Sequence, residues 1–221
     1  MVTGVAGSDL VLQVDGGRPL SADSIAELGA VCDAAEDGTG HTFVIVRVSG
    51  VPGPHWADEL SVSLVSKWER GLRRLERVPA VTIAVAEENC GGPALDALLA
   101  SDYRIMSANA KLIVPVVAGA TWPGMALYRL TRQAAGSALA RRAVLFGTPI
   151  EAAEAQEIGL IDESTEDATI AIEKAMEAWA AARGTELAVR RQLMAEALTS
   201  SYEDALGVHL AACDRALRRR S

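Results

Sequence analysis

The sequence predicts an α/β fold built on a largely parallel sheet, and three features carry that expectation. Short apolar runs rich in β-branched residues, LVLQV at 10–14, FVIVRVSG at 43–50 and AVTIAVA at 80–86, read as strands. Between them lie stretches with helical spacing, SADSIAELGAVCDAAED at 21–37 and a segment from about Ala57 to Glu76. The third feature is the alternation itself: repeated strand, helix, strand units imply right-handed crossovers and parallel strands.

Each element has a local reason. Ser21 stands where the first helix must start and can accept from an otherwise unpaired backbone N–H. The run at 80–86 is apolar almost without interruption, as a strand buried on both faces requires. It leads into Glu87-Glu88-Asn89-Cys90-Gly91-Gly92-Pro93, then the helical ALDALLAS and the strand-like YRIMSA. Glycines at such a turn let backbone pass close to a ligand, and the next helix aims unpaired N–H groups at it. A turn of this kind can build an oxyanion hole. The loop GVPGPHW precedes the helix at 57–76, and from Pro123 onward the chain is mostly helical, with segments near 136–146, 151–157, 166–182 and 186–217. No internal repeat or low-complexity linker interrupts residues 1–221, which are expected to form one domain.

Composition narrows the function classes. A chain of 221 residues with 50% hydrophobic residues can bury a substantial core. A net charge of −8 argues against a nucleic-acid footprint, and the basic end Arg218-Arg219-Arg220 reads as a solvated helix terminus. Cys32, Cys90 and Cys213 are odd in number, widely spaced and without a metal-ligand pattern. They read as free thiols of a reducing, cytoplasmic compartment. Nothing resembles a signal peptide or a membrane span.

The glycine turn and the residues after it resemble a known family. Gly91-Gly92, Asp96, Ser101-Asp102-Tyr103-Arg104-Ile105, Asn109-Ala110-Lys111 and Pro115 run in the order of the GGGxE, CDxRI, xAxF and PE motifs of the crotonase (enoyl-CoA hydratase/isomerase) superfamily. The spacing from Pro115 to Pro123-Gly124 is similar to PExxxGxxPG, Tyr128-Arg129-Leu130 to QRL, and Phe146 through Asp162 to TGxxIxAxEAxxxGLVxxV. The resemblance runs from about Leu10 to Asp162. It implies a spiral of ββα units over about 1–122, then a helical part over about 123–221 through which chains assemble as a homo-trimer or hexamer. It also implies an acyl thioester substrate, free acyl-CoA or enzyme-bound, with no cofactor and no metal. Two backbone N–H donors would polarise the thioester carbonyl, as an oxyanion hole does.

By the same resemblance, one donor comes from Gly91-Gly92 and the other from the loop at 54–60, as Ala57 or Asp58 according to register. A gapless count puts Pro93, which has no N–H, where the family has its donating glycine. A slip of one residue makes Gly92 the donor; without it the hole is impaired. Asp96 falls at the first of the two glutamate positions that hydratases use for proton transfer. Val116 stands at the second, and a valine moves no proton. His55 and Trp56 lie in the loop that would cover a thioester, and Trp122 would line the acyl pocket. Each also has a plainer reading: Asp96 as a helix-start carboxylate, His55 as an exposed turn residue, Trp122 as core packing. Glu87 and Glu88 read as solvated strand-end residues, and His41 and His209 have no partner pattern.

The short chain, Val116 and the altered glycine turn resemble one branch, the small crotonase-like accessory proteins of 3,5-dihydroxyphenylglycine biosynthesis in glycopeptide antibiotic pathways. That resemblance implies a dehydratase-type helper of a type III polyketide synthase. It would promote dehydration and aromatisation of a malonyl-derived tetraketide to 3,5-dihydroxyphenylacetyl-CoA. The competing reading is a degenerate crotonase fold that serves as a non-enzymatic partner or stabiliser of another enzyme.

Overall fold

In the computed structural model of the chain the described residues are 9–37, 43–180, 182 and 184–219, so His41 and Arg220 lie outside them. The first half alternates as expected: β1 (Leu10–Asp15), α1 (Ala22–Glu36), β2 (Phe43–Gly50), α2 (Val62–Leu75), β3 (Val81–Gly91), α3 (Pro93–Leu99), β4 (Tyr103–Ser107) and β5 (Lys111–Ile113). A small hairpin, β6 (Val116–Val117) with β7 (Ala120–Thr121), leads to α4 (Met125–Gln133) and α5 (Ala138–Phe146). Then come β8 (Ile150–Glu151), α6 (Ala152–Glu157), β9 (Glu163–Thr165), α7 (Ala168–Trp179), α8 (Thr185–Ala197) and α9 (Tyr202–Arg218).

The main sheet runs β1-β2-β3-β4-β9, all parallel. It forks at β3. Ile83 to Ala86 pair with Tyr103 to Met106 of β4, whereas Cys90 and Gly91 pair with Leu112 and Ile113 of β5, which pairs antiparallel with β8. A register shift between Val48 and Gly50 on β2 marks the same level. The strand expected at 80–86 therefore runs five residues further. Glu87, Glu88 and Asn89 expose their side chains, but their backbone stays extended and carries the chain from one arm of the fork to the other.

Side chains of β2 and β3 alternate between two cores, which is why both strands read as nearly unbroken apolar runs. Val44, Val46, Ala84 and Ala86 pack with Leu28, Trp68, Leu72 and Leu98 from α1, α2 and α3. Phe43, Ile45, Ile83 and Val85 pack with Ile172 and Ala175 of α7. Fully burying a Leu, Ile or Val contributes about 1.5–3 kcal/mol, so these two layers dominate the fold's stability.

Two helix boundaries differ from the periodicity. α2 starts at Val62 because Ser61 caps it, its Oγ accepting from Leu64 N–H at 3.2 Å, while the chain before it forms a series of turns. The segment 186–217 is two helices: Thr199 and Ser200 turn their N–H groups back to the Glu196 carbonyl, and Ser201 caps α9. Hydroxyl side chains offer the backbone such alternatives to helix. Ser21 caps α1 and accepts from Ser24 N–H at 3.2 Å.

Candidate active site

Because β1, β2 and β3 are parallel, their C-terminal ends share one edge, the place where ligands bind in sheets of this kind. A Cβ on Gly16, just past β1, would lie 2.2 Å from the Gly91 carbonyl oxygen and 2.6 Å from that of Gly50, so only glycine fits where the three ends converge. Gly92 caps α3 at φ +54°, and a Cβ there would meet Pro52 Cγ at 2.5 Å. Pro93 opens α3 where a missing N–H costs nothing. The first turn of the helix then carries Asp96 toward a cavity.

The cavity lies between that turn and α2. Gly92, Pro93 and Asp96 form one wall, Val65, Trp68 and Glu69 the opposite one, and Trp56 and Trp122 part of its rim. Its volume is about 20 Å³, room for a single water. Trp56 and Trp122 meet edge to face, ring centroids 5.3 Å apart. The backbone N–H of Trp122 donates to the Pro115 carbonyl at 2.7 Å, which fixes the chain at this residue.

Three buried side-chain polar atoms among the described residues have no hydrogen-bond partner: Trp56 Nε1, Trp68 Nε1 and Asp96 Oδ1. All three belong to residues that line this cavity. An unpaired buried polar group costs about 1–3 kcal/mol, so their convergence marks a place built to receive hydrogen-bonding atoms.

Charge is concentrated behind Asp96. Arg129 on α4, with 8% of its side chain exposed, donates from Nη1 to Glu69 Oε2 at 2.9 Å and from Nε to Glu76 Oε1 at 3.3 Å. The same Nη1 is 3.9 Å from Asp96 Oδ1, too far for a hydrogen bond. Burial, followed by the Glu69 charge, pushes the Asp96 carboxyl up to about 7, with Arg129, the Trp68 indole and the Ala126 N–H pulling the other way. Burial also raises Glu69, again against Arg129.

The cavity brings together Asp96, Gly92, Trp56 and Trp122 of the residues singled out in the sequence. His55 lies outside it: the side chain is 83% exposed, φ is +67°, and Nδ1 lies 3.3 Å from Asp58 Oδ2 on the surface. The Asp58 N–H donates to the His55 carbonyl at 3.0 Å, so the turn uses it. The loop's turn bonds employ the N–H groups of Trp56, Asp58 and Leu60, and Ala57's is not among them. Gly91 sits under Val51 and Pro52, within the sheet pairing. Val116 is 51% exposed on β6 and does not line the cavity. Glu87 is ion-paired with Arg47 at 2.6 Å on the surface.

Sequence reasoning missed Trp68 and Glu69 and gave Arg129 no role. The signal was there on α2: Val65, Trp68, Leu72 and Leu75 form a helical apolar stripe, and Glu69 sits four residues after Val65 on its border.

Fold and site together define a protein of the crotonase class. The chain belongs to the enoyl-CoA hydratase/isomerase family, whose model matches residues 58–217. A relative from Amycolatopsis orientalis, named an enoyl-CoA hydratase, is 53% identical over 211 residues, covering 96% of this chain and 97% of its own. A probable enoyl-CoA hydratase of Bacillus subtilis is 28% identical over 166 residues, 71% of this chain and 64% of its own. The fold is shared with an enoyl-CoA hydratase/isomerase from Marinobacter aquaeolei, with a TM-score of 0.81 at 18% identity over 99% of this chain and 90% of that one. An enoyl-CoA hydratase from Shewanella pealeana likewise gives 0.81 at 17% identity, over 98% and 86%. Among the described residues no helix is long and apolar enough to cross a membrane.

Proposed function

We propose that the protein is a dehydratase-type crotonase that acts on an oxygenated, polyketide acyl thioester and assists a type III polyketide synthase in forming 3,5-dihydroxyphenylacetyl-CoA. The observation that carries this reading is the convergence of two unpartnered indole N–H groups and one unpartnered carboxyl oxygen on a single cavity. The Trp68 indole and the Asp96 carboxyl lie close enough to act on one another, so it is the Trp56 indole N–H that a hydrocarbon enoyl chain would leave unsatisfied, whereas an acyl chain bearing keto or hydroxyl oxygens can pair with it and with the Asp96 carboxyl. Sites built to hydrogen-bond an oxygen discriminate strongly against the analogue that lacks it.

One carboxyl suffices for the chemistry. Asp96, protonated, gives its proton to a departing β-hydroxyl, which leaves as water; the Cα–H electron pair becomes the Cα=Cβ bond, and the other Asp96 oxygen takes the α-proton. The acid is regenerated, and no cofactor is required. Backbone N–H groups near Gly92 and Ala57 would bear the charge that develops on the thioester oxygen, each donor worth about 3–4 kcal/mol where such holes operate.

Assembly through the C-terminal helices belongs to the same reading. None of the side chains of α9 is buried, and Leu206, Val208, Leu210 and Leu217 are exposed on it, which supports a homo-trimer or hexamer.

The non-enzymatic partner reading draws on Val116, at the position where the family carries its second glutamate. Product analysis of a type III polyketide synthase supplied with malonyl-CoA decides between them. Added protein raises the yield of aromatic product in both readings; Asp96→Asn abolishes the gain only if Asp96 performs chemistry. No change in product with added wild-type protein overturns the proposal.

A further inference from the structure

Asp96 belongs to a charge cluster whose other members the dehydration step does not itself use. Arg129 serves Glu69 and Glu76, and Arg73 Nη1 binds the other oxygen of Glu76 at 2.7 Å. Three carboxyls, Glu69, Glu76 and Asp96, therefore meet two guanidiniums. Glu69 and Glu76 take the direct contacts, 2.7 to 3.3 Å, while Asp96 Oδ1 is left at 3.9 Å with no hydrogen bond. In an environment where only 14% of the Asp96 side chain and 17% of that of Glu69 are exposed, carboxylates that outnumber their cations cannot all stay ionised.

We propose that Glu69 is a positioning residue: by claiming the Arg129 guanidinium from α2, it leaves Asp96 as the member of the cluster that rests protonated, so that Asp96 meets the ligand as a neutral acid presenting an O–H. The proposal rests on the dehydratase reading for what the acid then does, but the protonation state stands without it. Other charged or titratable groups near Asp96 fit this account. Cys90, on β3, is fully buried and burial pushes its thiol up, so it adds no charge. Arg104, which follows α3, faces Asp162 and Asp102 before it faces Glu76, and its guanidinium is spent on the carbonyls of Leu99, Ser101 and Leu160 and on the side-chain oxygen of Gln133. The burial and Glu69 charge that raise Asp96 act in the same direction.

The test is a carbon-13 NMR titration of the aspartate side-chain carboxyls in the full chain, with the Asp96 signal assigned by its loss in Asp96→Asn. The expected wild-type result is an Asp96 carboxyl still protonated at pH 6 that ionises near pH 7. Glu69→Gln should move that midpoint down by at least one pH unit, and Glu69→Asp should restore part of it. The pH limit of any effect on the synthase should move with it. A merely structural Glu69 would lower stability without displacing the midpoint. An Asp96 carboxyl already ionised at pH 5 in the wild-type protein, or a midpoint indifferent to Glu69→Gln and Glu69→Asp, overturns the proposal. A protein without effect on polyketide products but with this titration would overturn the dehydratase reading alone.

Discussion

Trp56 and Trp122 stand edge to face at the rim of the cavity, ring planes at 79° and centroids 5.3 Å apart, and between them they close a space too small for any acyl group. An aromatic pair of this kind contributes about 0.5–1.5 kcal/mol beyond its burial, a barrier that ligand binding can overcome. Any acyl ligand entering here would have to part this pair, Trp56 from the turn-rich loop between β2 and α2 and Trp122 from just after β7.

Trp122→Ala should leave the cavity open. The expected outcome is a rise in acrylamide quenching of the buried Trp68 fluorescence, with a stability loss of about 3–5 kcal/mol at most for removing a large aromatic. Quenching unchanged from the wild type would show that the pair is not what shields the cavity.

Asp96 also sets a pH dependence of stability. A carboxyl that titrates near 7 in the fold and at 3.8 when unfolded binds more protons in the folded state throughout that interval. Stability therefore falls as pH rises from about 4 to 7, by at most about 4 kcal/mol if the whole difference is realised. Asp96→Asn should flatten this slope and be relatively more stable than the wild type at pH 8 than at pH 5. Urea melts of both proteins at the two pH values measure it; parallel slopes would contradict the buried-acid assignment.

Much of the architecture was legible because it rests on local patterns: the β-branched runs, the Ser21 cap, the glycine turn into α3. What could not be read was which motif residues touch the cavity. Asp102 and Arg104, central to the family resemblance, prove to hold the fold. Asp102 accepts from the Thr82 N–H and Oγ1, both at 2.9 Å, and from Arg191; Arg104 threads its guanidinium through four oxygens. Trp68 and Glu69 lie outside every motif and line the site, since their position depends on how α2 packs against α1 and on the ion pair that ties Glu69 to Arg129 of α4, long-range contacts that no local pattern encodes. His55 illustrates the opposite case, a chemically suggestive residue that a left-handed turn holds out in solvent.

Arg191 gives a stability test far from the cavity. From α8 it donates through Nε to Asp102 Oδ1 at 2.7 Å, through Nη2 to the Ala80 carbonyl at 2.7 Å, and it also reaches the Val78 carbonyl. Its side chain is 10% exposed and that of Asp102 28%. Removing one partner of a buried pair costs about 3–5 kcal/mol, and the partial exposure of Asp102 places Arg191→Met nearer 2–3. Chemical denaturation is the measurement, and a loss under about 1 kcal/mol would mean that α8 is not anchored through this contact.

The exposed apolar residues of α9 predict association. Light scattering on the purified chain should give a mass of three or six subunits, and Leu210→Asp, on a side chain 59% exposed, should shift it toward monomer without loss of helix content. A monomeric wild-type protein at micromolar concentration would leave those leucines without a second copy to bury them.

The last prediction concerns the simplest family substrate. Hydration of crotonyl-CoA by two carboxylates needs one to activate water and another to deliver the α-proton, and each such group is worth about 10²–10⁴ in rate. Here the residue that the motif resemblance puts at the second position is Val116, which is turned to solvent, Glu69 is committed to Arg129, and the indole N–H groups of Trp56 and Trp68 gain nothing from a hydrocarbon chain. Crotonyl-CoA turnover should accordingly be slower by about 10²-fold or more than in a two-carboxylate hydratase assayed beside it. Val116→Glu should not restore the rate, because that position does not line the cavity. Absorbance of the enoyl thioester reports both rates directly. Efficient turnover by the wild-type protein would show that a further group supplies the missing proton transfer, and would remove the physical reason for assigning an oxygenated acyl chain to this site.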